Sequence, residues 1–263
     1  MEPLFALIEP VLGQIEASLA AALGVFVRVG AVVALLPGFG EQTLPLRIRL
    51  AASVAMTLIV WPMVAGSISA APPDLAGLTM ILLAEALSGL LIGIAFRLLV
   101  MVLQLAGSIA AQATSVAQIF GAGLTPDPLP AIGNLLVIAG LALALAAGLH
   151  VKAAMAIALS YELLPFGHFA PAADVAAWGT ARIGQAFGLA LTLAGPFVVM
   201  SFVYNLALGA MNRAMPQLMV AFVGAPAITG AAILVLFLAA PAMLSVWLDA
   251  FDRTLANPLE APR

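Results

Sequence analysis

The chain has 263 residues, 64% of them hydrophobic and 8% charged, with a formal net charge of −3 and no cysteine. Soluble domains carry roughly 25% charged residues, so this composition cannot supply a soluble surface. The missing cysteines exclude disulfides, thiolate metal sites and a cysteine nucleophile, and the lack of any basic block argues against nucleic acid as a partner.

Apolar runs of spanning length and a mean hydropathy of +1.19 point to an all-α, polytopic helical membrane protein of about six long apolar helices. A transmembrane barrel would instead alternate in short segments. The amino terminus carries Glu2, Glu9 and Glu16 without an accompanying Lys or Arg, so it lacks the basic region of a cleaved signal peptide and is expected to be retained.

The first apolar run, about residues 17–36, contains Arg28 and stops at Pro37-Gly38, a turn signal. In the connector that follows, the Leu44-Pro45 step predicts the start of a second helix. That helix continues to about Ile68, with Trp61-Pro62 at an interface and at a kink or end. Asp74 is placed to cap a third helix, expected to run to about Leu105. Within it Glu85, Gly89, Gly93 and Arg97 recur every four residues and share one small, charged face.

From Gly107 onward the composition changes to Gly, Ser, Ala, Thr and Gln. Gln112, Thr114, Ser115 and Gln118 interrupt the apolar surface before Phe120, Gly121 and Gly123 close the segment. Such a stretch is too polar for lipid and too poor in charge for an ordinary solvent loop. Three prolines around Asp127 then exclude continuous helix.

A fourth run, about residues 131–159, shows Gly140, Ala144 and Gly148 at the small-xxx-small spacing of closely packed membrane helices. A connector of about residues 161–182 contains Pro165, His168, Pro171 and Asp174, and is long enough for an amphipathic or re-entrant piece. The fifth run, about residues 183–208, has Gly184 and Gly188 spaced for packing and Pro196 as a kink. It leads into Asn212, Arg213, Pro216 and Gln217, a polar cluster in which proline limits the helix and Arg213 with two amides could bond freed carbonyls or a neighbouring chain. A sixth run, about residues 218–248, ends in a charged tail. Counting Lys and Arg over these spans does not orient the chain.

Two charges buried in one apolar helix cost roughly 5 to 7 kcal/mol if both face lipid, so Glu85 and Arg97 are expected to face protein or water. Twelve residues separate them by roughly 18 Å along the axis, too far for a mutual ion pair, and each needs another partner. No enzymatic constellation appears. His150 and His168 are isolated, and there is no HExxH, no G-x-S-x-G and no acidic cluster of metal-ligand type; neither enzymatic activity nor a cofactor or metal is expected.

Three stretches, residues 28–62, 85–107 and 212–230, resemble one family in order and spacing. It is the flagellar biosynthetic FliR family, which includes the T component of the type III secretion export apparatus. The chain departs from the family pattern at Met219, where asparagine is expected, and in a Ser/Ala/Thr-rich version of the segment after Gly107.

The resemblance implies a non-enzymatic core subunit of the export gate in the bacterial inner membrane, at the flagellar basal body, through which unfolded proteins leave the cytoplasm. It implies FliP-type and FliQ-type partner subunits, with FlhA- and FlhB-type export proteins beyond them. It further implies a FliP-like part over residues 1–182 and a FliQ-like helical hairpin with tail over 183–263. The family's plug loop falls at about residues 107–123, which assigns Gly107, Ser108, Gln112, Ser115, Gln118, Phe120, Gly121 and Gly123 to a gate. Glu85, Gly89, Gly93, Arg97, Asn212, Arg213, Pro216 and Gln217 are expected at subunit interfaces. A virulence-type injectisome gate is the alternative within the family, and a secondary transporter using Glu85 and Arg97 the alternative outside it; the absence of an inverted repeat argues against the transporter.

Overall fold

A computed structural model describes residues 2–40, 44–68, 74–115, 131–214 and 220–259. Every regular element among them is helical: α1 (Glu2–Leu35), α2 (Leu46–Val64) extended by a 3₁₀ turn (Ala65–Ser67), α3 (Leu75–Ser115), α4 (Ala131–Ala146), α5 (Leu149–Leu163), α6 (Ala172–Ala214) and α7 (Val220–Ala256). Among the described residues five helices are long and apolar enough to cross a membrane, or six if the bent pair α4 and α5 forms one span.

Local chemistry sets the helix ends. Pro45, extended at φ −57° and ψ 143°, immediately precedes α2, as proline's fixed φ and missing N–H allow. Asp74 caps α3, its Oδ1 accepting a 2.8 Å hydrogen bond from the Gly77 N–H, the bond that satisfies an orphan donor of the first turn.

Three expectations need correction. Helix α3 does not stop near Leu105 but continues to Ser115. The Ser108 hydroxyl donates to the Leu105 carbonyl at 2.9 Å and the Thr114 hydroxyl to that of Ala111 at 3.0 Å, so the polar side chains bond back onto their own helix instead of ending it. The run from residue 131 to 159 is two helices bent by 73°; Gly148 is left-handed at φ +81°, with open space where its Cβ would lie, so it turns the chain and packs against nothing. The long connector before the fifth run shrinks to residues 164–171, because α6 starts at Ala172 with Asp174 in its first turn. Gly184 and Gly188 are exposed on α6 and meet nothing within 4 Å in this chain.

The chain forms two compact units, Met1–Arg97 with Gly148–Arg182 and Asp252–Arg263, and Leu98–Ala147 with Ile183–Phe251. In the first, α1 and the opening half of α3 run side by side in the same direction. A Cβ on Gly89 would strike the Arg28 carbonyl oxygen and lie 2.8 Å from the Ala31 Cβ, and one on Gly93 would lie 2.8 Å from the Leu35 Cβ. The recurring small residues therefore let two backbones approach. Helix α2 packs on α1 and α5. The end of α7 is tied down by Arg182, whose Nη2 donates to the carbonyls of Asn257 at 3.0 Å and Pro258 at 3.2 Å, and by Lys152, which pairs with Asp252 at 2.7 Å.

In the second unit Trp247 is fully buried; its indole N–H donates to the Leu99 carbonyl at 2.7 Å and its ring stacks on Phe251 at 5.0 Å. Gly140 makes room for this layer, since a Cβ there would meet the Leu103 side chain at 2.5 Å and the Trp247 ring at 3.4 Å. Leu136, Leu193 and Phe197 complete the buried apolar side.

Candidate functional site

Two features merit attention as functional: a buried charge network in the first unit and the polar end of α3 in the second. The network begins with two charges that the sequence places in the middle of apolar helices. Arg28 and Glu85 are both completely buried and face each other because Gly89 lets α1 and α3 approach, while Gly24 makes room for the Phe166 ring, which a Cβ there would meet at 2.6 Å. The guanidinium forks onto the carboxylate, Nε to Oε2 at 2.8 Å and Nη2 to Oε1 at 2.9 Å, the bidentate geometry that makes an arginine–carboxylate pair strong.

The remaining donors and acceptors are satisfied by α5 and the loop after it. Arg28 Nη1 donates to the Ser160 hydroxyl at 3.1 Å and Nη2 to the Leu164 carbonyl at 3.0 Å, while the guanidinium carbon lies 3.7 Å over the Tyr161 ring centroid. Glu85 accepts two further bonds, from the Tyr161 hydroxyl at 3.0 Å and the Gly167 N–H at 2.9 Å. Gly167 is left-handed at φ +72° and its Cβ would lie 3.2 Å from Ile81, so glycine both permits the turn and lets the backbone reach the carboxylate.

The chemical meaning follows from the count of partners. Both carboxylate oxygens accept two bonds each, which occupies the lone-pair sites of an ionised carboxylate. Glu85 thus presents no open acceptor and no exposed surface to a substrate or a proton. It fastens α1, α3, α5 and the loop at residues 164–167 into one unit. The expectation that Glu85, Gly89 and Gly93 face partner subunits is corrected: all three are buried within this chain, because the small face is needed for the approach to α1. Arg97 is half-buried at the end of the same face.

Sequence reasoning recognised that Glu85 needed a partner and did not find Arg28, Ser160, Tyr161 or the Gly167 amide. The signal available was symmetry of cost, since Arg28 is the single cation within the first apolar run and carries the same insertion penalty as Glu85.

At the end of α3, Gly107 is buried against α4, where its Cβ would overlap the backbone of Gly133. Beyond it Ser108 and Thr114 are half-buried and Gln112 is exposed. The Ala113 carbonyl accepts a bond from the Ser201 hydroxyl of α6, and Ser201 also accepts from Asn205 Nδ2 at 3.2 Å. The structure thus brings Gly107, Ser108, Gln112 and Ser115 onto one helical end. Gln118, Phe120, Gly121 and Gly123 lie outside the described residues. Asn212 and Arg213 are exposed on the last turn of α6, with Pro216 and Gln217 again outside the described residues. Among the described residues no group of His, Asp and Glu could hold a metal ion, and His150 and His168 are both exposed.

Comparison with known proteins matches residues 19–254 to the family described as bacterial export proteins, family 1. The chain is also similar to the flagellar biosynthetic protein FliR of Caulobacter vibrioides, with 37% identity over 236 residues, 88% of this chain and 92% of that protein.

Proposed function

The chain belongs to the bacterial export proteins, family 1, and from that membership we propose that it is a core subunit of the flagellar type III export gate. The family is one of membrane-embedded export proteins and not of enzymes, and the helical architecture agrees with such a protein. The flagellar assignment, in preference to a virulence-type gate, rests on the similarity to a flagellar biosynthetic protein across nearly the whole chain.

In the proposed role the chain joins FliP-type and FliQ-type subunits, with residues 1–182 taking a FliP-like place and 183–263 a FliQ-like one. FlhA- and FlhB-type export proteins lie beyond them, at the basal body in the inner membrane. The end of α3 and the segment that follows, Gly107 to Gly123, seals the pore at rest. The observation that carries this reading is the change along α3 from a buried apolar helix to one bearing Ser108, Gln112 and Thr114, with Gln112 exposed. Short polar side chains offer contacts that a passing unfolded polypeptide can replace, and nearby glycines let the backbone change path. Asn212 and Arg213, exposed where α6 ends, are assigned to contacts with a neighbouring subunit. The saturated Glu85 carboxylate weighs against a transporter that binds substrate or protons there.

Purification of the tagged chain from its native membrane tests the assignment. A gate subunit emerges inside a large hetero-oligomer containing a smaller two-helix membrane protein, whereas recovery as a monomer or small homo-oligomer from gently solubilised membranes would overturn it.

A further inference from the structure

Past Gly107 the second unit's grip on α3 thins. Ala106 and Ala110 are fully buried, residues 111–114 are half-buried or exposed, and the helix ends at Ser115. The last four carbonyls of a helix have no partner within it, and that of Ala113 is one of them. It is met by the hydroxyl of Ser201, a buried residue of α6. Leu193, Ala194 and Phe197, all buried, hold that part of α6 in place. Asn205, one turn further along, sets the direction of the hydroxyl. Its Nδ2 donates to the Ser201 carbonyl at 2.8 Å and to Ser201 Oγ at 3.2 Å, so the oxygen accepts on one side and delivers its single proton to Ala113 on the other.

This tie differs in kind from the charge network of the first unit. Parting Arg28 from Glu85 orphans a buried charge, whereas a helical hydroxyl that loses its partner can turn to a carbonyl of its own helix. Ser108 and Thr114 on α3 and Thr192 on α6 already bond in that way. The Ala113 carbonyl, on a half-buried residue beside polar side chains, can in turn accept from water or from a passing peptide N–H. Release therefore costs about one net hydrogen bond and strands no charge. We propose that Ser201, aimed by Asn205, is a releasable latch on the end of α3. With the polar segment acting as the seal of the pore, the reading on which this consequence rests, the latch sets how readily the seal leaves its closed position.

Hydrogen exchange and dye leakage test the latch separately from the seal. In the full-length chain in detergent, Ser201→Ala should speed amide exchange in the peptide covering residues 110–115 about threefold to tenfold, the weight of one net hydrogen bond, while exchange in α4 stays unchanged. Ser201→Thr, which keeps the hydroxyl, should restore the slower rate, and Asn205→Leu, at an exposed position, should give a smaller rise in the same peptide. An unchanged rate at residues 110–115, a rise shared equally by α4, or failure of Ser201→Thr to restore it overturns the latch. In vesicles holding the assembled complex and a small dye, Ser201→Ala should leak faster than the intact complex and more slowly than one lacking Ser108 to Gln118. Leakage from the deletion but none from Ser201→Ala overturns the role of the latch in gating. Retention of dye by the deletion strikes the seal reading instead, and the exchange result then decides the latch alone.

Discussion

Replacing Arg28 by methionine is expected to destabilise the purified chain by about 3 to 5 kcal/mol, because removal of one partner leaves the Glu85 carboxylate buried without a counter-charge. Arg28 makes two bonds to Glu85 and one each to Ser160 and Leu164, so the substitution loosens α1, α3, α5 and the following loop together. The penalty comes chiefly from the orphaned charge, which gives the prediction a control. Adding Glu85→Gln to Arg28→Met removes the negative charge while keeping one oxygen to accept from the Gly167 N–H, and its amide NH2 can donate to the Tyr161 hydroxyl oxygen in place of the bond that Tyr161 now donates. The double variant should recover about 2 kcal/mol or more relative to Arg28→Met. Thermal unfolding in detergent, followed by tryptophan fluorescence, reads both changes. An Arg28→Met chain as stable as the parent would mean that the network does not hold the unit together.

A second large effect is expected where α3 crosses α4. Gly107→Ala puts a methyl group into the backbone of Gly133, which has no side chain to swing aside, so the crossing must open at a cost of about 1 to 3 kcal/mol. The same substitution at Gly184, exposed and without a neighbour within 4 Å, should stabilise α6 by about 0.5 to 1 kcal/mol, the usual advantage of alanine over glycine in a helix. One substitution with opposite signs at two sites separates packing from helix propensity. If both variants gained stability, the close contact at Gly107 would be contradicted.

The helical class and the approximate number of spans could be read from composition and run length, because no soluble surface can be built with so few charges. The Asp74 cap could be read because one side chain and one amide three residues on decide it. What failed was local. The polar end of α3 was expected to break the helix, but Ser108 and Thr114 bond back to carbonyls of the same helix, a possibility that composition does not reveal. Gly148 fell into a small-residue pattern with Gly140 and Ala144, yet only the backbone shows that it is left-handed and turns the chain.

The interface expectation for Glu85, Gly89 and Gly93 went wrong for a related reason. Periodicity identifies a face but not what covers it, and α1, arriving from about sixty residues earlier with Arg28, covers this one. For the polar segment the sequence remains the main guide, since its second half, with Gln118 and Gly121, lies outside the described residues.

The role of the polar segment as a seal is tested most directly by leakage. A complex carrying a deletion of Ser108 to Gln118, recovered with its normal subunits, can be placed in vesicles loaded with a small dye alongside the intact complex. Rapid loss of dye from the deletion vesicles and retention by the intact ones is the expected result. Equal retention by both would contradict the assignment of this segment to the closed pore.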